Sequence, residues 1–281
     1  MAAAAGAGTV VTGCTVEPIR PGAQRAGGAT GSVDRLVFQA GHQAFTVIRK
    51  SLRPDDDDPG HRTRWRRELL AYESGLLPGG PGLKAPRLLG ADDTAVFLDA
   101  ADGPPERPEL AAERLARWQA GTDLPQAPWL ARHQLAHRVA EHDLDWAAVP
   151  ADPALAGIWA RRHDLLDALG AVPNVFSHGD FRPGHLVAAG PDTIVLDWGS
   201  CGIAPVGADL ARLALGTLRD QLPFYLKGSG GRFAIGDVIL GYRVTLALTG
   251  VSRVHRMLSA GVPLPADYVR FVKVQAAAIP W

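Results

Sequence analysis

The chain has 281 residues, 47% of them hydrophobic and 21% charged, enough to bury the core of one large domain or two modest ones. Acidic and basic residues balance at 29 each, which excludes a global field drawing nucleic acid or an anionic membrane. Cys14 and Cys201 stand far apart with no CxxC spacing, which excludes a disulfide scaffold or structural zinc site and fits a reducing, cytoplasmic setting.

The opening MAAAAGAGTVV has neither a basic n-region nor a strongly apolar h-region and does not read as a signal peptide. No run approaches the length needed to span a bilayer. From Val10 to about Leu52, short apolar runs broken by glycine predict three antiparallel strands. The first two are joined by RAGGATGS, Arg25 to Ser32, either an ordinary turn or a loop folded over phosphates through Gly28, Gly31 and Ser32. RPDDDDPGHR then reads as a solvated loop. The helix predicted over RTRWRRELLAYESGLL carries Trp65, Leu69, Tyr72 and Leu76 on one stripe. Glu68 lies beside that stripe, where a carboxylate needs a cationic partner or a route to solvent.

APRLLGADD and TAVFLDAAD predict two more strands, and ADGPPERPE reads as a hinge, placing a domain boundary near Ala101. Beyond it the pattern turns helical. LAAERLARWQA is followed by a helix from about Trp129 to Trp146. A third opens at Asp152-Pro153, with Leu155, Ile158, Trp159, Leu165, Leu166 and Leu169 on one face. FAIGDVILGYRVTLAL and ADYVRFVKVQAAA close the chain as helices.

Between these lies VFSHGDFRPGHLVAAGPDTIVLDWG, Val175 to Gly199. A short strand ends at His178-Gly179-Asp180, Pro183-Gly184 suits a type II turn, and a hairpin through GPDT returns the chain to Asp197. Two carboxylates at neighbouring strand ends suit phosphoryl transfer, one accepting the proton of an attacking hydroxyl and the other holding a divalent ion on the nucleotide phosphates. Each alone is also a common turn residue.

In these motifs the chain resembles the aminoglycoside phosphotransferase and choline kinase-like family. The family pattern is HGDxxxxN followed by a D-[FWY]-G motif, against HGDFRPGH and DWG here. The resemblance implies an α+β, two-lobed protein-kinase-like fold. A small antiparallel β lobe with one helix, residues 1–100, would bind nucleotide, and a larger helical lobe, residues 101–281, would carry the catalytic loop and acceptor site. It implies Asp180 as catalytic base, Asp197 as metal ligand, Glu68 as partner of the strand cation that holds the phosphates, and Asp209 of GADLARL as a brace on the catalytic loop. The phosphoryl donor would be ATP or GTP near Leu98 to Gly103, with Mg²⁺ or Mn²⁺.

Two positions depart from the family pattern. His185 replaces the metal-binding Asn, and an imidazole suits Mg²⁺ poorly. The strand cation, normally Lys, is either residue of Arg49-Lys50. Alternation in FTVIRK puts Phe45, Val47 and Arg49 on one face, and register with the family favours Arg49. The presence of only four lysines against 25 arginines keeps Lys50 as a rival. DWG is followed at once by GIAPVGADLARL, leaving no room for a protein kinase's activation segment. The expected function is therefore transfer of the γ-phosphoryl group to a hydroxyl of a small molecule, an antibiotic or a metabolic alcohol. Its alternatives are a nucleotide-binding protein without catalysis and the same fold put to other natural-product chemistry. Asp143, Asp145 and Asp220 are candidate contacts for a cationic acceptor, with solvated surface as the alternative. His133 and His137, at i,i+4 spacing, read as packing or surface residues.

Overall fold

The structure, a computed structural model, describes residues 11–19, 30–54, 64–141, 144–150 and 152–280. Six strands come first: β1 (Gly13–Pro18), β2 (Thr30–Ala40), β3 (Gln43–Leu52), β4 (Leu83–Lys84), β5 (Leu88–Ala91) and β6 (Ala95–Asp99). Five of them form one antiparallel sheet in the order β1-β2-β3-β6-β5. Because strand side chains alternate, β3 presents Val47 to a cluster with Leu36 and Phe38, and Leu52 to a second cluster with Val96 and Leu69. Leu69 belongs to helix α1 (Arg67–Glu73), so the face of β3 bearing Lys50 and Leu52 is the one that meets α1.

The rest of the chain is mainly helical: α2 (Pro108–Gly121), α3 (Gln134–Glu141), α4 (Pro153–Ala160), α5 (Arg162–Leu169), then, after four short strands, α6 (Ala208–Thr217), α7 (Leu222–Ser229), α8 (Ile235–Ser259) and α9 (Ala266–Ala277). The strands are β7 (Asn174–Ser177), β8 (Leu186–Ala189), β9 (Asp192–Val195) and β10 (Gly202–Pro205). β7 pairs with β10, while β8 and β9 form the expected hairpin, with β4 alongside β9. The proposed hinge is tied to this hairpin: Glu106 N–H donates to Leu186 O at 3.0 Å and Ala188 N–H to Pro104 O at 2.9 Å. The main core runs through the helical part and takes in Ala71, Leu83 and Ala85 from before the hinge.

Several sequence expectations need correction. Among its described residues, the segment Trp129 to Trp146 is helical over α3 and begins outside a helix, because Ala131 is recruited to β10: its N–H donates to Cys201 O and its carbonyl accepts from Ile203 N–H. The long helix after Asp152 is two, broken at Arg161, whose N–H bonds back to Ile158 O. Leu155, Trp159, Leu165 and Leu169 are all buried across that break, with Ile158 and Leu166 partly so. Among the described residues, the helix predicted from Arg62 runs over Arg67–Glu73, with residues 64–66 outside it. Pro183-Gly184 forms a 3₁₀ turn through His185 and not a type II turn. Gly184 is absent from the positive-φ residues, so the left-handed position that a type II turn requires is not used. Finally, α8 has 25 residues and is, by length and composition, apolar enough to cross a membrane, contrary to the reading that no run approaches that length. Its contacts with α4, α5, α6 and α9 account for that apolarity as core packing.

Candidate active site

The HGD loop leaves β7 through Gly179, at φ +81°, where a Cβ would overlap the Ser200 carbonyl oxygen. Glycine is therefore required twice over, by conformation and by space. The loop is held from below by Asp209 in the first turn of α6. Its buried carboxylate accepts from the backbone N–H groups of His178 and Gly179, both at 2.8 Å. Gln119 donates to the same carboxylate at 3.2 Å and accepts from Tyr225 O–H at 2.5 Å. His178 is fully buried. Its Nε2 lies 2.9 Å from Leu196 O, and its Nδ1 accepts from Asp180 N–H at 3.2 Å. Burial holds this imidazole below its ordinary pKa, so a neutral ring links the HGD loop to the residue before Asp197.

Asp197 adopts a left-handed conformation, φ +65°, one that Asp tolerates better than most residues. It turns the chain from β9 into the 3₁₀ turn Trp198–Ser200. Trp198 opens that turn. It is fully buried, donates to Val195 O at 2.8 Å and packs edge-on against His178, with ring centroids 4.7 Å apart. It is a core strut beneath both loops.

Asp180, His185 and Asp197 each offer a ligand atom, and these atoms all lie within 4.8 Å of one another. His185 Nε2 is 3.5 Å from Asp197 Oδ2. Its Nδ1 is 3.0 Å from Asp180 O and its Nε2 2.8 Å from Arg182 Nη2. Burial lowers the pKa of this imidazole, against the pull of Asp197 and Asp180. The neutral tautomer that satisfies both contacts has Nδ1–H donating to the carbonyl and Nε2 accepting from Arg182. Arg182 Nε also donates to Asp180 Oδ2 at 2.9 Å. Two carboxylates and one imidazole nitrogen can hold a divalent cation.

Opposite this cluster stands Lys50. Its Nζ lies 2.6 Å from both carboxylate oxygens of Glu68 and 2.7 Å from Asp197 Oδ1. Burial works against the ammonium, yet Glu68 and Asp197 together raise its pKa above the ordinary value, so it stays charged. Lys50 in turn holds the Asp197 carboxyl well below the usual carboxylate range. Glu68 is thus turned inward with a cationic partner. Arg49, favoured by register, lies on the other face: its Nη2 is 2.7 Å from Asp34 Oδ2. Of the two residues left open by the sequence, Lys50 is therefore the one paired with Glu68, and Arg49 the one paired with Asp34. Gly31 and Ser32 open β2 beside Ser51, with Ser32 Oγ 3.0 Å from Ser51 Oγ. Gly28 lies outside the described residues.

Arg67 escaped sequence reasoning. It is fully buried, and it donates to Trp129 O at 2.9 Å and Gly199 O at 3.4 Å, anchoring α1 to the turn after Asp197. Gln134 does similar work from α3, donating to Ser200 O at 2.5 Å. Neither signals itself, because each partner is a backbone carbonyl distant in sequence. Of the acidic candidates for the acceptor, Asp145 accepts from Ala147 N–H and Asp220 from Leu222 N–H, as local turn caps. Asp143 lies outside the described residues.

Comparison with solved structures places the fold. A choline/ethanolamine kinase family protein from Mesorhizobium loti superposes with a TM-score of 0.54 at 17% identity, over 89% of this chain and 87% of that one. Amicoumacin kinase hAmiN, in complex with AMP-PNP, Ca²⁺ and Ami, gives 0.55 at 14%, covering 88% and 86%. A thermostable mutant of aminoglycoside phosphotransferase APH(4)-Ia, in a ternary complex with ADP and hygromycin B, gives 0.53 at 14%, covering 96% and 93%. These likenesses carry the kinase-like fold. No curated protein matches the chain. Residues 86–235, more than half of its length and including Asp180, His185, Asp197 and Asp209, match the model of the phosphotransferase enzyme family, to which this chain belongs.

Proposed function

We propose that the chain is a small-molecule kinase transferring the γ-phosphoryl group of ATP or GTP to a hydroxyl of a hydroxylated acceptor, an antibiotic or a metabolic alcohol. The observation that carries this reading is the convergence of Asp180 and Asp197 within one cluster, with Lys50 bridging Asp197 to Glu68. In this proposal residues 1–100 hold the nucleotide, with Lys50 on its phosphates and the base near Leu98 to Gly103, and residues 101–281 supply the catalytic loop. The reading also assigns Gly31 and Ser32, near the start of β2, to the phosphates.

Asp180 Oδ accepts a hydrogen bond from the acceptor hydroxyl, aligns its oxygen and takes its proton as the oxygen bonds to Pγ and the bond from Pγ to the nucleoside diphosphate breaks. The products are a phosphomonoester and the nucleoside diphosphate. Asp197, with His185, would hold a divalent cation, Mg²⁺ or Mn²⁺, whose contribution when bound is to neutralise phosphate charge. Lys50 supplies a fixed positive charge there, and Glu68 keeps it extended toward Asp197. Asp209 keeps the backbone of the base-bearing loop in one conformation.

The test is nucleotide binding and phosphoryl transfer measured separately for Asp180→Asn. Retained binding with transfer reduced on the order of 10²–10⁴-fold supports the reading. Unchanged transfer removes Asp180 from the chemistry, and nucleotide binding without transfer in the wild type, across hydroxylated acceptors of every charge, leaves a nucleotide-binding protein without catalysis.

A further inference from the structure

A cavity of about 240 Å³ opens on Asp180 from the side of the helical lobe. Among the described residues, Asp180 is the only acidic one lining it, and the basic lining comprises Arg138, Arg212 and Arg256. A neighbouring cavity of about 260 Å³ shares Arg138 and Arg212 and adds Arg132. The carboxylate that lines it among the described residues, Asp209, is already committed to the backbone of His178 and Gly179. Arg138 and Arg256 have further contacts within the protein. Arg212 is half-buried and, among the described residues, makes no ion pair or side-chain hydrogen bond while lining both cavities. It sits on α6 one turn after Asp209, so the helix that positions the base-bearing loop also positions this guanidinium.

Resting on the kinase reading above, we propose that the acceptor carries an oxyanion, a carboxylate or phosphate group, in addition to the hydroxyl that is phosphorylated, and that Arg212 is its principal anchor. A partly desolvated guanidinium facing a cavity is satisfied by a planar or tetrahedral oxyanion through paired, charge-assisted hydrogen bonds. The same arginines repel a polycationic acceptor, since among the described residues Asp180 and Asp209 are the carboxylates that line the two cavities. Leu135, Val139, Trp159 and Leu248 form an apolar wall, leaving the charged end of the acceptor to the arginines.

The test uses the full chain saturated with AMP-PNP and Mg²⁺, so that added anions cannot occupy the nucleotide phosphate site. Calorimetric titration with glycerol, glycerate, glycerol 3-phosphate, choline and kanamycin separates charge from hydroxyl content. The expected result is that glycerate or glycerol 3-phosphate binds at least about tenfold more tightly than glycerol and the cations, and that Arg212→Gln removes the difference while AMP-PNP still binds. Comparison of the two anions tells a carboxylate site from a phosphate site. Choline, kanamycin or glycerol binding as tightly as the anions overturns the proposal, as does absence of anion binding or a preference that survives Arg212→Gln. Arg212→Lys, which keeps the charge and loses the fork, should retain part of the preference and serves as a second variant should Arg212→Gln fold poorly. Failure of AMP-PNP to bind the wild type sinks the kinase reading instead, and the anion preference is then read on the protein alone.

Discussion

Lys50 and Asp197 are 147 residues apart in sequence, yet Lys50 Nζ lies 2.7 Å from Asp197 Oδ1 while the same ammonium contacts both oxygens of Glu68. One cation thus joins a strand of the five-stranded sheet, the helix α1 and the turn that follows β9. The charges need one another because Lys50 and Glu68 are almost wholly removed from water.

Breaking this cluster on one side should cost more than removing the buried pair. Lys50→Met leaves the Glu68 carboxylate buried without its cation, an expected loss of about 3–5 kcal/mol. Lys50→Met combined with Glu68→Leu should recover part of that stability and still bind nucleotide poorly. Urea unfolding of both variants, beside nucleotide titration, checks the two halves; equal stability of the single and double variants would count against a buried ion pair.

Arg49→Ala discriminates the two faces of β3. Its guanidinium is 39% exposed and pairs away from the site with Asp34, which is itself buried, so the expected cost is about 1–3 kcal/mol of stability. Nucleotide affinity and turnover should be unchanged. A large loss of nucleotide affinity in Arg49→Ala, with Lys50→Met unaffected, would reverse the assignment.

The adjacency of Arg49 and Lys50 shows where sequence reading stops. Alternation established that the two residues point to opposite faces, but both faces of this sheet carry apolar clusters, around Val47 and around Leu52. Periodicity alone therefore could not say which face meets α1. The HGD and DWG segments were legible because their chemistry is local, two carboxylates each bounded by residues with special turn requirements. Arg67 was not, since its partners are the carbonyls of Trp129 and Gly199, and a backbone acceptor leaves no mark on the residue that supplies it. Asp145 and Asp220 are exposed and cap their own turns, so nothing local to either residue singles it out for an acceptor. The arginines that line the cavity come from α3, α6 and α8, separated elements that only the tertiary fold brings together.

The acid limb of stability should report Asp197. Lys50 depresses its carboxyl below the ordinary value of 3.8, although burial opposes this. A depressed carboxylate contributes stability that is present above its unfolded pKa and lost as pH falls through the folded one. The wild type should therefore be more stable than Asp197→Asn at neutral pH and lose that margin below about pH 4. The Asp197 side chain is 41% exposed, so salt should shrink the margin. Thermal unfolding of both proteins across this range gives the comparison, and parallel curves would mean that Asp197 is not held by Lys50.

Gly179→Ala should be poorly tolerated. A methyl group would sit at φ +81° and overlap the Ser200 carbonyl oxygen, for an expected loss of about 3 kcal/mol or more from strain and overpacking together. Since Asp180 follows directly, the turnover that survives should fall further than nucleotide affinity does. Wild-type stability in Gly179→Ala would show that the loop has another conformation open to it.

The choice of metal should follow from His185. Its ring is held neutral by burial, its Nδ1–H is directed at Asp180 O, and its Nε2 lone pair lies 3.5 Å from Asp197 Oδ2. A nitrogen donor beside two carboxylates favours Mn²⁺ over Mg²⁺, which prefers an all-oxygen shell. Arg182 now donates to that lone pair, so metal binding must displace a charged hydrogen bond, and a cation with stronger affinity for nitrogen does so more readily. The wild type should bind Mn²⁺ in the presence of AMP-PNP at least about tenfold more tightly than Mg²⁺. His185→Asn, which supplies an amide oxygen in place of the imidazole, should narrow that ratio by favouring Mg²⁺. Electron paramagnetic resonance of bound Mn²⁺, with Mg²⁺ as competitor, reads the ratio without reference to turnover. A ratio that does not move on His185→Asn would place His185 outside the metal shell, as a brace between Asp180 O and Arg182.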